Sequence, residues 1–205
     1  MIKILILLFN CIAVKITTSL QKPVIILGID PGTLVMGYSV IEARNNTFTV
    51  MEIDVLKLAS TLDHYKRLQK IHRRITELVE KFNPNECAIE APFFGKNVQS
   101  MLKLGRAQGV AIAAAMQASL PVSEYSPKTV KQSITGNGNS SKEQVFKMLQ
   151  RIIQLEEKPH FFDATDALAV ALCHHYTTTS VISTQKKSFK GWKEFISANP
   201  GRLTS

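Results

Sequence analysis

The chain has 205 residues, of which 45% are hydrophobic and 20% charged, and its formal net charge is +9. This length and apolar content are typical of one globular domain that buries a core without disulfides or a structural metal. The three cysteines, Cys11, Cys87 and Cys173, are widely scattered, which excludes a disulfide framework and a C-x-x-C zinc pair. A reducing compartment is therefore expected. The excess of Lys and Arg indicates a polyanionic partner, either a nucleic acid or an anionic membrane.

Residues 1–22 form a segment of their own, with three lysines and no acidic residue. The apolar run Ile4–Val14 is shorter than the ~20 residues that cross a bilayer, so no membrane anchoring is expected. A signal peptide would place Lys3 before this run, but Lys15 follows it at once and no A-x-A-like cleavage site is present. We expect a disordered leader or a true translation start near Leu20. A targeting segment and an extra strand or helix are the alternatives.

From residue 23 the sequence alternates strand-like and helix-like segments. The expected strands are Val24–Ile29, Gly37–Ala43, Phe48–Leu56, Cys87–Glu90 and Val122–Tyr125. Asn45-Asn46 predicts a turn between the second and third strands, which makes the first three strands antiparallel.

The helices are predicted from apolar spacing and from capping residues. An amphipathic helix that ends at Asn83-Pro84 has apolar side chains every three or four residues, at Leu62, Tyr65, Leu68, Ile71, Ile75, Leu78, Val79 and Phe82. The other expected helices are an Ala/Gly-rich one at Val98–Leu120 and two final ones at 141–155 and Asp163–Tyr176. Ser126-Pro127 is typical of a helix start, and either Ser140 with Glu143 or Ser141 with Gln144 forms a capping box. This order predicts an α/β fold with a mixed sheet.

Four carboxylates stand at the ends of predicted elements. Asp30 follows the first strand and precedes Pro31-Gly32, and Glu90 ends the apolar strand at 87–90. Asp163 and Asp166 are three residues apart at the start of an apolar helix, so both lie on one face. Taken singly, they have ordinary roles as a turn cap, a surface residue or an N-cap. Strand ends and a neighbouring helix N-terminus converge on one point, so jointly they predict a site.

Converging carboxylates repel one another, and a divalent metal removes the conflict. An all-oxygen site without Cys or His fits Mg²⁺ or Mn²⁺ better than zinc. Two such ions ~3.5–4 Å apart suit phosphodiester cleavage, one activating water and the other stabilising the leaving 3′-oxygen. Residues 95–155 carry eight Lys or Arg against two acidic residues, which predicts a phosphate-binding surface. The combination indicates a metal-dependent nuclease.

A series of short motifs runs along the chain. The motifs are Ile26-Leu-Gly-Ile-Asp-Pro-Gly-Thr33, Gly37-Tyr38, Ala88-Ile-Glu90 with Phe93, Leu102-Lys-Leu-Gly105, Gly109-Val-Ala-Ile112, Val130-Lys-Gln132, Gly136-Asn-Gly138 with Lys142, and Asp163-Ala-Thr-Asp-Ala-Leu168. This series resembles the RuvC family of Holliday-junction resolvases. The motifs follow one another with family-like spacing over residues 23–176. No single motif is specific, but the ordered set is.

The resemblance implies an RNase H-like domain over 23–176 and a homodimer. It also implies symmetric paired nicking of four-way DNA junctions that leaves 5′-phosphate ends, in cooperation with the RuvA–RuvB branch-migration complex. The setting would be recombination and repair in a bacterial cytoplasm. Asp30, Glu90, Asp163 and Asp166 would be the catalytic ligands of two Mg²⁺ ions, with Mn²⁺ as a substitute. The extension 1–22 and the basic tail 177–205 depart from the family pattern, and the tail is expected to be flexible.

The resemblance also suggests DNA contacts. Lys131 and Lys142 match basic positions near the scissile phosphate or the junction, although both also suit a solvated helix face. Phe93 matches an aromatic residue that stacks on unpaired bases, with core or dimer packing as the alternative. The further basic residues expected on the DNA-binding surface are Lys96, Lys103, Arg106 and Lys128.

Three rival functions are weighed against a resolvase. The Asp30 loop also resembles the first phosphate loop of actin-like and sugar-kinase ATPases, but 205 residues leave no room for their second domain. A YqgF-type relative acting on RNA fits the Asp163 and Asp166 pair with Glu90 less well. A junction-binding module without catalysis would not need all four acids.

Overall fold

The computed structural model describes residues 22–92, 97–153 and 162–183. The predicted leader therefore lies outside the described residues except for Lys22, and so does the tail from residue 184. None of the helices in the described ranges is long and apolar enough to span a bilayer.

Five strands form one sheet. They are β1 (Val24–Asp30), β2 (Val35–Arg44), β3 (Thr47–Lys57), β4 (Glu86–Glu90) and β5 (Val122–Tyr125). The strand order across the sheet is β3-β2-β1-β4-β5. β2 is antiparallel to both β1 and β3, whereas β4 is parallel to β1 and β5 is parallel to β4. The predicted mixed five-stranded sheet is confirmed.

Five helices accompany the sheet. They are α1 (His64–Phe82), α2 (Val98–Gln117), α3 (Pro127–Thr135), α4 (Lys142–Ile152) and α5 (Phe162–Ser183). Three helices follow β5, so the predicted order with only two was wrong. The additional one is α3, which starts where the Ser126-Pro127 signal indicated: the Ser126 side chain accepts from the backbone N–H of Thr129. α5 continues past its predicted end at Tyr176, so the prediction of a flexible tail was wrong for residues 177–183, which are helical.

Several predicted boundaries depend on local chemistry that the structure resolves. Asn45 and Asn83 adopt left-handed backbone angles, with φ of 56° and 45°, at the predicted hairpin turn and helix end. Of the two possible capping boxes, the one formed by Ser141 and Gln144 is present. Tyr65 was predicted on the apolar face of α1 but is 71% exposed, because the helix begins only at His64 and its first turn extends beyond the core.

The sheet separates two hydrophobic layers. One face packs against α1 and α2, and the other against α3, α4 and α5. Side chains alternate along β1, so Leu27 and Ile29 face the first layer whereas Ile26 faces the second.

α5 lies unusually close to the sheet because two strand positions have no side chain. A Cβ atom on Gly28 would lie 2.3 Å from the carbonyl oxygen of Ala167, and one on Gly37 would lie 1.9 Å from that of Asp163. Ser39, on the same strand as Gly37, donates a buried hydrogen bond of 3.1 Å to the carbonyl of Ala167. These contacts fix the N-terminal half of α5 against β1 and β2.

Candidate active site

The four predicted carboxylates line one cleft of about 470 Å³ at the edge of the sheet where β1 and β4 end. The residues around it are Asp30, Pro31, Gly32, Val35, Glu90, Pro127, Val130, Lys131, Lys142, Val145, Asp163, Asp166 and Ala169. Six separate parts of the chain thus contribute to it: β1 with its following loop, the start of β2, β4, α3, α4 and α5.

Parallel pairing places Asp30 and Glu90 side by side. β1 and β4 pair in register, with Gly28 opposite Ala88 and Ile29 opposite Ile89, so the next residues are the two acids. Side chains alternate along a strand, and Ala88 belongs to the layer that contains α5. Asp30 and Glu90 therefore project toward α5, on whose first turns Asp163 and Asp166 lie.

The antiparallel partner of Asp30 is Gly37. Because Gly37 has no side chain, the backbone of Asp163 packs directly over it. The close approach of α5 to β2 thus brings the acids of the helix next to the acid of β1.

Burial and mutual repulsion perturb two of the four acids. Desolvation, followed by the charges of Glu90, Asp166 and Asp163, raises the pKa of Asp30 from 3.8 to about 8, despite the opposing charge of Lys142. Desolvation and the charge of Asp166 raise the pKa of Glu90 from 4.5 to about 7, against Lys142 and Lys131. The cleft therefore holds more negative charge than it stabilises by itself.

Lys142 provides part of the missing positive charge. Its Nζ lies 2.6 Å from Oδ2 of Asp166. Burial disfavours the charged amine, but the hydrogen bond to Asp166 and the charges of Asp166, Asp163 and Asp30 raise the pKa of Lys142. This lysine remains protonated within the cleft.

The carboxylate oxygens of the cleft are the ligand type that a hard divalent cation prefers. A cation there would also stabilise the charged forms of Asp30 and Glu90, whose pKa values are raised. Within the described ranges, no three His, Cys, Asp or Glu side chains are already arranged around a common metal position.

Gln108 is a residue that sequence reasoning missed. Its side chain is 7% exposed and donates to the backbone oxygen of Glu90, at 3.3 Å, and to Oε2 of Glu124, at 3.1 Å. It therefore ties α2 to the end of β4 that carries Glu90. The available signal was a long polar side chain among the alanines and glycines on the inner face of a helix.

The other predicted DNA contacts fall into three groups. Lys131 lines the cleft with Lys142. Lys103 and Arg106 are exposed on α2, and Lys128 is exposed on the first turn of α3, but none of these three lines the cleft. The remaining two, Phe93 and Lys96, lie outside the described residues.

Comparison with known proteins identifies the family. The sequence profile described as crossover junction endodeoxyribonuclease RuvC matches residues 26–174. The chain belongs to the RuvC family. A relative from Cytophaga hutchinsonii bearing that description is 54% identical over 179 residues, covering 87% of this chain and 88% of the relative. One from Porphyromonas gingivalis is 50% identical over 185 residues, covering 89% and 98%.

A solved structure agrees with the RuvC assignment. The structure of T. thermophilus RuvC in complex with a Holliday junction substrate is 32% identical, covers 77% of this chain and 96% of that one, and gives a TM-score of 0.73. The predicted resemblance and RNase H-like fold are confirmed, and the ATPase alternative is set aside. The alignments with the relatives are longer than residues 23–176, so the similarity extends beyond the segment predicted to carry it.

Proposed function

We propose that this protein resolves four-way DNA junctions by symmetric, metal-dependent paired nicking during homologous recombination and repair. The observation that carries the proposal is the convergence of Asp30, Glu90, Asp163 and Asp166 on one cleft beside two lysines. The RuvC structure from T. thermophilus, which contains a Holliday junction substrate, supports the same substrate here.

The four acids are the residues that would hold the metal, as two Mg²⁺ ions or, in substitution, Mn²⁺. When bound, these ions supply Lewis-acid activation of water and neutralise charge at the leaving oxygen. The raised pKa values of Asp30 and Glu90 support this assignment, because a cation stabilises the anionic forms that burial disfavours.

The lysines of the cleft position the DNA backbone. Lys142 keeps its proton, and its exposed amine is able to exchange Asp166 for a phosphate oxygen. Lys131, on α3, lies close enough to Glu90 to lower its pKa and adds a second positive charge at the same phosphate. Phe93, Lys96, Lys103, Arg106 and Lys128 complete the proposed DNA contacts, with Phe93 stacking on an unpaired base.

Symmetric cutting needs two clefts, and α2 offers a surface for pairing two copies. Val98, Leu102 and Met116 are 66%, 52% and 62% exposed and recur along one side of this helix. Exposed apolar side chains so aligned favour burial against a partner. We propose a homodimer through this face that acts with the RuvA–RuvB branch-migration complex in a bacterial cytoplasm.

The test is cleavage of a synthetic four-way junction with and without Mg²⁺. We expect paired nicks only with the metal, and products with 5′-phosphate ends that a ligase rejoins. Asp30→Asn should abolish cleavage while junction binding stays nearly intact, because only the metal chemistry is lost. Cleavage by Asp30→Asn at the wild-type rate would show that the metal-site assignment is wrong.

A further inference from the structure

The outer face of α1 carries a basic patch outside the catalytic cleft. Between His64 and Thr76 the helix contains five Lys or Arg and no acidic residue. Cations at this end of a helix are disfavoured by the helix dipole, and like charges one turn apart repel each other. Local helix stability therefore does not account for this composition.

Two of the five cations have partners within the protein. Arg67 donates to the backbone oxygen of Thr33 at 3.1 Å, and Arg74 pairs with Glu52 at 2.6 Å. The other three, Lys66, Lys70 and Arg73, follow one another at i, i+4 and i+7 and share the outer face of the helix.

These three cations are not neutralised by internal contacts. Arg73 is 71% exposed and approaches only Glu77, at 3.6 Å, a separation worth little at the surface. Within the described ranges, Lys66 and Lys70 make no ion pair or side-chain hydrogen bond. All three line one surface depression, whose acidic residues, Glu77 and Glu80, follow them toward the C-terminal end of α1. We call Lys66, Lys70 and Arg73 the α1 basic face.

The first turn of α1 lies at the same end of the sheet as the rim of the catalytic cleft. Pro31 and Gly32 line the cleft, and the next residue, Thr33, accepts the hydrogen bond from Arg67. Leu58, just after β3, donates its backbone N–H to the carbonyl of Leu34 at 2.7 Å. This hydrogen bond holds the start of the segment between β3 and α1 next to the loop that follows β1.

We infer that the α1 basic face binds the phosphate backbone of a duplex arm that extends from the junction beyond the cleft. This inference rests on the proposed function. Seven residues of helix span about 10 Å, over which duplex DNA presents several phosphates. An array of exposed cations on a helix at the cleft end of the sheet complements such a backbone without reading its sequence.

The test compares charge-neutralised variants in junction binding as salt is varied. Lys66→Gln/Lys70→Gln should flatten the slope of log K against log[salt] by about 1.8, the value for two lost phosphate contacts. The matched control Arg44→Gln/Lys81→Gln removes the same charge at the opposite end of the sheet and α1, and should leave the slope near that of wild type. Lys66→Arg/Lys70→Arg keeps the charge and should retain the wild-type slope.

Arm length separates this surface from the cleft. With arms of about 20 base pairs the Gln double variant should lose affinity, and with arms too short to leave the cleft it should match wild type. An unchanged slope in Lys66→Gln/Lys70→Gln, or an equal change in this variant and in Arg44→Gln/Lys81→Gln, would overturn the inference. An unchanged slope would leave an acidic protein as the partner of this face. Wild-type protein that binds junctions without cutting would overturn the proposed function while leaving the slope comparison intact.

Discussion

The substitution Gly37→Ala tests whether the packing of α5 positions the four acids of the cleft for the proposed cleavage. Its Cβ atom would lie 1.9 Å from the carbonyl oxygen of Asp163, and ordinary contact begins at 3.4 Å, so the two elements must separate by about 1.5 Å. The backbone of Gly37 is otherwise compatible with alanine, since its φ is not positive. A displacement of about 1 Å at a catalytic group lowers rates by about 100-fold, so we expect at least that loss in cleavage.

The assay is single-turnover cleavage of a four-way junction, with junction affinity measured separately in the absence of metal. Overpacking should also lower stability by about 1–3 kcal/mol, measured by denaturant unfolding. Ile75→Val is the matched control, because it costs about 0.5–1.5 kcal/mol in a fully buried site on the opposite face of the sheet. Wild-type cleavage by Gly37→Ala, or an equal loss in Ile75→Val, would refute the reasoning.

Three further substitutions probe the charges and contacts of the cleft. In the folded, metal-free protein Asp30 has a pKa near 8, whereas in the unfolded chain its pKa is near 3.8. Between these two pH values the folded state holds a proton on Asp30 that the unfolded chain has lost. The contribution of Asp30 to the free energy of unfolding therefore falls as the pH rises from about 4 to about 8. Asp30→Asn should therefore raise the Tm of the metal-free protein, by more at about pH 8 than at about pH 5, and a pH-independent gain would contradict this. Lys142→Ala should slow cleavage and flatten the salt dependence of junction binding by about 0.9; an unchanged slope would place Lys142 away from the phosphates. Gln108→Leu should lower the free energy of unfolding by about 1 kcal/mol and slow cleavage, because β4 loses its tie beside Glu90. Full activity of this variant would show that Gln108 has no positioning role.

The sequence was sufficient for the parts of the fold that depend on local chemistry. The hairpin at Asn45, the helix end at Asn83 and the start of α3 at Ser126 each follow from a residue whose side chain or backbone preference acts within a few positions. The convergence of the four acids was also predictable, because two of them end apolar strands and two lie at the start of an apolar helix.

The remainder depends on tertiary contacts that local patterns do not encode. Tyr65 shares the spacing of the apolar side chains of α1, yet it is 71% exposed, because no element in the described part of the chain covers the first turn. The roles of Gly28 and Gly37 become visible only when α5 is docked against the strands. The α1 basic face was missed for a similar reason: the charges of 64–76 are offset elsewhere in the chain, and only the contact between Arg67 and Thr33 shows that α1 starts at the cleft end of the sheet.

The long-range bond between Ser39 and Ala167, which joins positions 128 residues apart, has a consequence for biosynthesis. The ribosome makes β1 and β4 well before α5, so a nascent chain exposes Asp30 and Glu90 without the other two acids. Such a chain already carries part of the basic surface but lacks half of the carboxylates. Nuclease activity that needs all four acids therefore arises only after translation has passed the first turns of α5.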